Sequence, residues 1–224
     1  MTNRLQPHLP ALPHTREVTT VPHIDEAFLR VVRDSGFQRM GIVAALVEGG
    51  KIMMLRHRKS DKSDEGTWGP LAETSKATRV AGVWHPEDPI RTLRRAIDEE
   101  VGLQIGFPPL RARAIGGFTM ATWPIGIDYP GQNAYAIVPV LHMERGSTQR
   151  LVETFTPTEE IDKVAMLSPD QIRTQCLRPG VLSWLHVVEH SPLFAGQGPF
   201  VELQVPGTMP RGEQVDIIFS NMEL

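Results

Sequence analysis

The amino-acid sequence predicts an α/β fold in which helices pack on a central sheet. Residues 41–47 are almost continuously apolar, and a Gly-Gly pair separates them from a second apolar run at 52–55. A continuous apolar strand is covered on both faces, so these runs predict a hairpin in the middle of a sheet. Residues 88–103 and 180–189 carry apolar side chains at helical spacing and supply helices to cover it.

We divide the chain into an N-terminal arm and helix (1–37), a main domain (38–190) and a C-terminal extension (191–224). Residues 1–22 contain four prolines and no periodic pattern, which predicts an arm. Residues 24–36 have apolar side chains on one side and end on a glycine, which predicts a helix.

The strands after the central helix are predicted from apolar runs at 112–123 and 134–143, with a loop rich in proline and glycine between them. Further apolar runs at 200–205 and 215–219 predict a C-terminal hairpin. Exposed strands of this kind favour a homodimer.

Composition excludes several function classes. The 224 residues carry a formal net charge of −3 with acids and bases mixed, so we expect no nucleic-acid partner. No apolar run reaches transmembrane length, and no membrane partner is expected. The single cysteine, Cys176, excludes an internal disulfide and fits a cytoplasmic protein. Its apolar neighbours predict a buried structural thiol.

The predicted central helix carries an acidic pair near its end. Asp88 is a good N-cap residue and Gly102 suits the position after the last turn. Glu99 and Glu100 would leave the helix about 100° apart, on the flank of its apolar stripe. Two adjacent carboxylates repel each other unless a cation or a base lies between them.

A basic cluster follows the second apolar run. Arg56 and Arg58 are preferred over Lys59 as phosphate-binding residues because they lie nearest the strand, and arginine offers a bidentate fork. The alternative is a solvated strand end.

The helix resembles the second half of the Nudix box, which reads Arg-Glu-hydrophobic-x-Glu-Glu-x-Gly-hydrophobic. The matching residues are Arg95, Ile97, Glu99, Glu100, Gly102 and Leu103. Ala96 stands where the family has a glutamate, and Glu87 falls at the earlier acidic position with one residue fewer between the two halves. The resemblance implies a Nudix-type α/β/α sandwich with a mixed central sheet.

The resemblance also implies a divalent-metal site. Glu99 and Glu100 would be the ligands of Mg²⁺ or Mn²⁺, and Arg95 would orient one of them through an ion pair. On an α-helix, positions 96, 99 and 100 share a face, so Ala96 removes one carboxylate from that site. The general base would come from a later segment, where the candidates are Glu144, Glu159 and, preferred, Glu160.

Residues 67–73 are similar to a tryptophan-proline-glycine segment that precedes the box in many family members. Trp68 and Glu73 are therefore assigned to substrate binding. For Glu73 two alternatives stay open, a cap of the loop, which is favoured, and a position near the metal site. Extra residues follow around 75–83. Trp123 and Tyr129 could stack on a flat group or pack at a hairpin tip.

Three functions fit this pattern. The first is a magnesium-dependent hydrolase of a phosphoanhydride in a small nucleoside diphosphate-linked substrate. The second is a Nudix-fold ligand sensor or scaffold that lost catalysis with Ala96. The third is an enzyme of the isopentenyl diphosphate isomerase type, whose relatives share paired arginines like Arg94-Arg95 but require a cysteine earlier than Cys176.

Overall fold

The structure is a computed structural model that describes residues 26–37, 39–58, 66–87, 89–101, 113–124, 133–143, 145–197, 200–202 and 213–216. The helices are α1 (Glu26–Asp34), α2 (Pro89–Ala96), α3 (Ser147–Thr154), α4 (Pro169–Arg173) and α5 (Val181–Glu189), and a π-helical turn (Ile97–Val101) continues α2. The strands are β1 (Arg39–Glu48), β2 (Lys51–His57), β3 (Trp68–Gly69), β4 (Leu71–Thr74), β5 (Lys76–Val80), β6 (Val83–Pro86), β7 (Arg113–Pro124), β8 (Asn133–His142), β9 (Ile161–Leu167), β10 (Phe200–Glu202) and β11 (Glu213–Asp216). Among these residues, no helix combines the length and apolar character needed to span a bilayer.

Strand β1 lies at the centre of a mixed sheet. It runs parallel to β8 and antiparallel to β2 and β4. Its side chains alternate between two apolar clusters, one containing Ile42, Ala44 and Leu46, the other Val43, Ala45 and Val47. A strand buried on both faces explains the continuous apolar run in the sequence.

The helices lie on both sides of this sheet. Leu29 of α1, Leu93 of α2 and Leu151 of α3 belong to the first cluster. Ile172 of α4 and Trp184 of α5 belong to the second, and the Trp184 indole donates a 3.1 Å hydrogen bond to the Val43 carbonyl. The prediction of an α/β sandwich with a mixed sheet is thereby confirmed.

The central hairpin divides the sheet into two halves. Gly49 and Gly50 turn with φ of 58° and 72°, which glycine adopts without strain. The direct pairing of β1 with β2 is found next to this turn, and farther along β4 pairs with β1 while β3 pairs with β2. The segment that carries Trp68 and Glu73 therefore fills the gap between the two diverging strands.

The tail departs from the predicted hairpin. Strand β10 pairs with β7 at the end of the main sheet, whereas β11 pairs with β5 in a separate three-stranded sheet with β6. Each of the two described tail strands thus pairs along one edge with another strand of the same chain. The extra residues at 75–83, for which no regular structure was predicted, form the β5–β6 hairpin on which β11 lies.

Other elements match the sequence prediction to different degrees. Helices α1 and α5 and strands β7 and β8 confirm the segments predicted for them. Helix α3 was not predicted. Cys176 is exposed, and the prediction of a buried thiol is wrong because α4 ends at Arg173, leaving the cysteine in the segment that follows. Asp88 and Gly102, the predicted ends of the central helix, lie outside the described residues.

We predict that Gly41→Ala destabilises the protein by about 1–3 kcal/mol, because an added Cβ has no room in the sheet. A Cβ at Gly41 would lie 2.8 Å from the Glu73 carbonyl oxygen and 3.5 Å from the Thr74 Cα, both backbone atoms of β4. Urea unfolding measures the change. Leu182→Ala, on the exposed face of α5, is the control and should change stability by less than about 0.5 kcal/mol. Equal effects would contradict the tight β1–β4 contact.

Candidate functional site

Arg95 contacts three carboxylates of the candidate site. Its guanidinium lies 3.0 Å from Glu87, 3.1 Å from Glu73 and 3.3 Å from Glu99, and it donates a 2.6 Å hydrogen bond to the Thr74 carbonyl. Burial alone would lower the pKa of Arg95. The hydrogen bond to Glu87 and the charges of Glu87 and Glu73 outweigh this effect, so the pKa lies above its usual value. Through this one cation, the end of α2 is bonded both to β4 and to Glu87, which lies just before α2.

Glu87 is the best-satisfied carboxylate of the group. It is 2% exposed and accepts two hydrogen bonds from Arg95, at 3.2 and 3.0 Å. The Thr92 hydroxyl donates at 2.9 Å and the Lys76 backbone N–H at 3.1 Å. Counting back from Arg95 identifies Glu87 as the acidic position of the box, but no local pattern indicates these hydrogen-bond partners.

Glu99 and Glu100 lie in a π-helical turn, and the prediction of a continuous α-helix through residue 101 is wrong. A π-turn closes hydrogen bonds to the fifth residue along and is often found at functional sites. Glu100 is 7% exposed, whereas the Glu99 side chain is 52% exposed. The two predicted metal ligands therefore have different environments.

Glu100 is an unsatisfied buried acid. One of its carboxylate oxygens, Oε2, has no hydrogen-bond partner among the described residues, and the Ala72 N–H supplies a backbone bond. Burial, followed by the charge of Glu73, raises the pKa of Glu100 well above its usual value. Arg178 opposes this shift, and Glu160 adds to it. A proton or a cation would remove the penalty of the buried charge.

The charges of Glu73 and Glu160 act on Glu100 from β4 and from the bend before β9. Glu73 lies in β4 rather than in a loop, accepts the Thr74 N–H at 2.8 Å and pairs with Arg95. Burial raises the pKa of Glu73 despite the opposing charge of Arg95. Glu160 is exposed in the bend before β9, and its carbonyl accepts the Arg58 N–H at 2.6 Å.

The donor set partly fits a divalent ion. Among the described residues, one Glu100 oxygen has no hydrogen-bond partner and other carboxylates lie near it. Carboxylate oxygens grouped in this way stabilise a hard cation. In the arrangement described, however, no three His, Cys, Asp or Glu side chains are grouped tightly enough to hold an ion. Arg95 pairs with both Glu73 and Glu99. Ala96 is 1% exposed in the apolar cluster with Leu93, so its side chain packs in the core.

Of the two predicted phosphate-binding arginines, Arg56 pairs with a carboxylate and Arg58 is exposed. Arg56 donates to both carboxylate oxygens of Asp162, at 2.8 and 3.0 Å, and that hydrogen bonding raises its pKa. Trp68 is 7% exposed, and the cations of Arg56 and Lys163 each lie 5.9 Å from its ring centroid. The Arg56 Nε and Nη2 are therefore occupied by Asp162, and Trp68 has little open ring surface.

Arg178 and His57 are site residues that the sequence did not predict. The Arg178 Nη1 lies 3.0 Å from the His57 Nε2. Arg178 follows α4, far along the chain from the box, and no local pattern distinguishes it from other surface arginines. Tyr129, Glu144 and Lys59 lie outside the described residues, and only the backbone of Trp123 is described.

No family model and no curated protein matches this sequence. Solved structures do resemble the fold. A MutT Nudix hydrolase from Burkholderia pseudomallei is 19% identical, with 67% of this chain and 97% of that chain covered and a TM-score of 0.41. A Nudix hydrolase from Nitrosomonas europaea is 15% identical, with coverages of 77% and 97% and a TM-score of 0.46. A UDP-X diphosphatase is 16% identical, with coverages of 79% and 74% and a TM-score of 0.41.

We predict that Arg95→Gln destabilises the protein by about 3–5 kcal/mol, because it leaves the carboxylate of Glu87 buried without its cation. Urea unfolding at neutral pH measures the loss. Arg94→Gln is the matched control, since Arg94 is half exposed and lies 3.6 Å from Asp98. Its effect should stay within about 0.5 kcal/mol. Equal losses from both variants would show that the Arg95 cluster does not anchor the helix.

We predict that, without divalent ions, Glu100→Gln stabilises the protein at pH 8 by about 1 kcal/mol or more, because it removes an unsatisfied buried charge. A folded-state pKa above the unfolded value of 4.5 makes stability fall as pH rises from that value through the raised pKa. The advantage of the variant should therefore shrink as pH falls to 4.5. Urea unfolding across pH measures it.

The control for this pH dependence is Glu159→Gln, which changes an exposed carboxylate in the bend before β9. It should leave the stability profile unchanged. A wild-type profile that Glu100→Gln does not alter would mean that Glu100 is not the buried acid responsible.

Proposed function

We propose that this chain is a Nudix-type hydrolase that cleaves a phosphoanhydride bond in a small nucleoside diphosphate-linked substrate. The observation that carries the proposal is the unpartnered carboxylate oxygen of Glu100, buried beside Glu73 in a π-helical turn. A buried charge without a partner costs free energy, and such groups are kept where chemistry needs them. The box resemblance of residues 95–103 supports the reaction class.

Glu100 and Glu99 would hold Mg²⁺ or Mn²⁺. When bound, such an ion neutralises charge on the phosphate groups and favours ionisation of the attacking water. Arg95 would keep Glu99 in place through its 3.3 Å contact while remaining anchored on Glu87. Glu73, next to Ala72 on β4, would add a third carboxylate once it released Arg95.

Glu160 is our proposed general base. It is exposed in the bend before β9, and its charge acts on Glu100. In the reaction, the water oxygen forms a bond to one phosphorus and the bond from that phosphorus to the bridging oxygen breaks. The water proton passes to the Glu160 carboxylate, and the leaving phosphate departs with the bonding electron pair.

A ligand-binding protein without catalysis is the second candidate. Two observations favour it: Ala96 packs in the core where the family has a glutamate, and Arg95 pairs with Glu73 and Glu99. Such a protein would bind nucleotides without turning them over.

We predict that the wild type releases phosphate or nucleotide from a panel of nucleoside diphosphate compounds only when Mg²⁺ or Mn²⁺ is present. Glu100→Gln should lower turnover by at least about a hundredfold because it removes a charged ligand. It should also reduce the rise in Tm that Mn²⁺ gives the wild type. Phosphate release and thermal unfolding are the two measurements.

The matched control is Glu153→Gln, which changes an exposed carboxylate on α3 that pairs with Gln149. This variant should retain turnover and the Mn²⁺ effect. Turnover that survives Glu100→Gln would contradict the metal assignment. A wild type that binds nucleotides without turnover would favour the ligand-binding alternative.

A further inference from the structure

A backbone clamp fixes the position of Arg178 beside β3. The Trp68 N–H donates to the Cys176 carbonyl at 2.7 Å, and the Arg178 N–H donates to the Trp68 carbonyl at 3.0 Å. Leu177 thereby forms an isolated parallel bridge with Trp68. These bonds bring a residue from the segment between α4 and α5 to the gap where β1 and β2 diverge.

The stem of the Arg178 side chain passes over Gly69. A Cβ added at Gly69 would lie 3.0 Å from the Arg178 Cδ and 3.7 Å from the His57 Nε2. Gly69 does not adopt a positive φ, so its backbone conformation does not require glycine. An alanine here would instead push the Arg178 stem away by a few tenths of an ångström.

His57 orients the guanidinium. The Arg178 Nη1 is 3.0 Å from the His57 Nε2, and a guanidinium can only donate hydrogen bonds. The Nε2 must therefore accept, which requires the neutral imidazole with its proton on Nδ1. A neutral ring can hold the arginine without cancelling its charge.

Arg178 also lies within electrostatic reach of the buried acid. Its charge lowers the pKa of Glu100, and the Ala72 N–H donates a hydrogen bond to that carboxylate. Ala72 follows Gly69 by three residues, and the Arg178 stem passes over Gly69. The short segment 69–72 thus contacts Arg178 at one end and Glu100 at the other.

We infer that Arg178, oriented by His57, binds a phosphate oxygen of the diphosphate opposite Glu100. This inference rests on the proposed function and adds to it a phosphate-binding residue from outside the box. Arginine suits the role because its planar fork matches the geometry of phosphate oxygens and its charge persists at every working pH. The competing explanation is that Arg178 only reduces the cost of the buried Glu100.

The experiment measures binding of methylenediphosphonate, a diphosphate analogue that cannot be hydrolysed, by calorimetry with Mg²⁺ present. Arg178→Gln should weaken binding about tenfold or more, as expected for the loss of a charged hydrogen bond. Arg178→Lys keeps the charge without the fork and should lose less. Arg173→Gln is the matched control, because Arg173 lies on α4 and bonds Asp170 and Glu189; it should bind as the wild type does.

Gly69→Ala supplies a second test that leaves Arg178 in the chain. Its Cβ should displace the arginine stem and weaken analogue binding in the same direction. The double variant Gly69→Ala/Arg178→Gln should bind no more weakly than Arg178→Gln alone, since both changes remove the same contact. Additive losses would overturn the inference.

Binding, folding and turnover separate the remaining outcomes. A folded Arg178→Gln variant that binds the analogue like the wild type overturns the inference, whether or not its Tm has changed. If the wild type also turns over a nucleotide, the proposed hydrolysis is retained and only the role of Arg178 is rejected. Arg178-dependent binding in a wild type that hydrolyses none of the nucleotide panel supports the inference and overturns the proposed hydrolysis.

Discussion

The buried ion pair between Arg95 and Glu87 is the constraint on which the site depends. Glu87 leads into α2 from the β5–β6 hairpin, and Arg95 lies in the last turn of that helix. The same guanidinium bonds the Thr74 carbonyl in β4. Three segments thus share one cation, and a buried pair with its hydrogen bonds satisfied is costly to break. The position of the acidic π-helical turn relative to the sheet follows from this contact.

The divergence of β1 and β2 is the second requirement. Two strands that separate after a tight hairpin leave unpaired backbone groups, and an unpaired buried N–H or C=O is expensive. Strands β3 and β4 satisfy those groups, each by pairing with a different strand. The inserted segment brings Gly69 against Arg178 and Glu73 against Arg95. The candidate site therefore lies where β3 and β4 pair with the two diverging strands.

Local patterns predicted much of this fold, because they report on burial and turns. The apolar run of β1, the Gly49-Gly50 turn and the periodicity of α5 each have a short-range cause. The pairing of β11 with β5 joins distant segments through backbone bonds that no side-chain pattern encodes. The π-turn at Ile97–Val101 was not predicted either, because over five residues its apolar spacing differs little from that of an α-helix. The approach of Arg178 to Gly69 depends on another long-range pairing, the backbone bonds of Trp68 to Cys176 and Arg178.

Glu87 and Glu100 are two buried glutamates that differ in how well their hydrogen bonds are satisfied. Glu87 accepts four hydrogen bonds, from a guanidinium, a hydroxyl and a backbone N–H, and its charge is fully matched. Glu100 is nearly as buried, but one of its oxygens has no hydrogen-bond partner among the described residues, and two neighbouring acids oppose its ionisation. Glutamine or an apolar side chain would cost less folding free energy at that position. Hydrogen-bond satisfaction therefore separates the carboxylate that anchors the helix from the carboxylate whose charge the described residues leave partly unmatched.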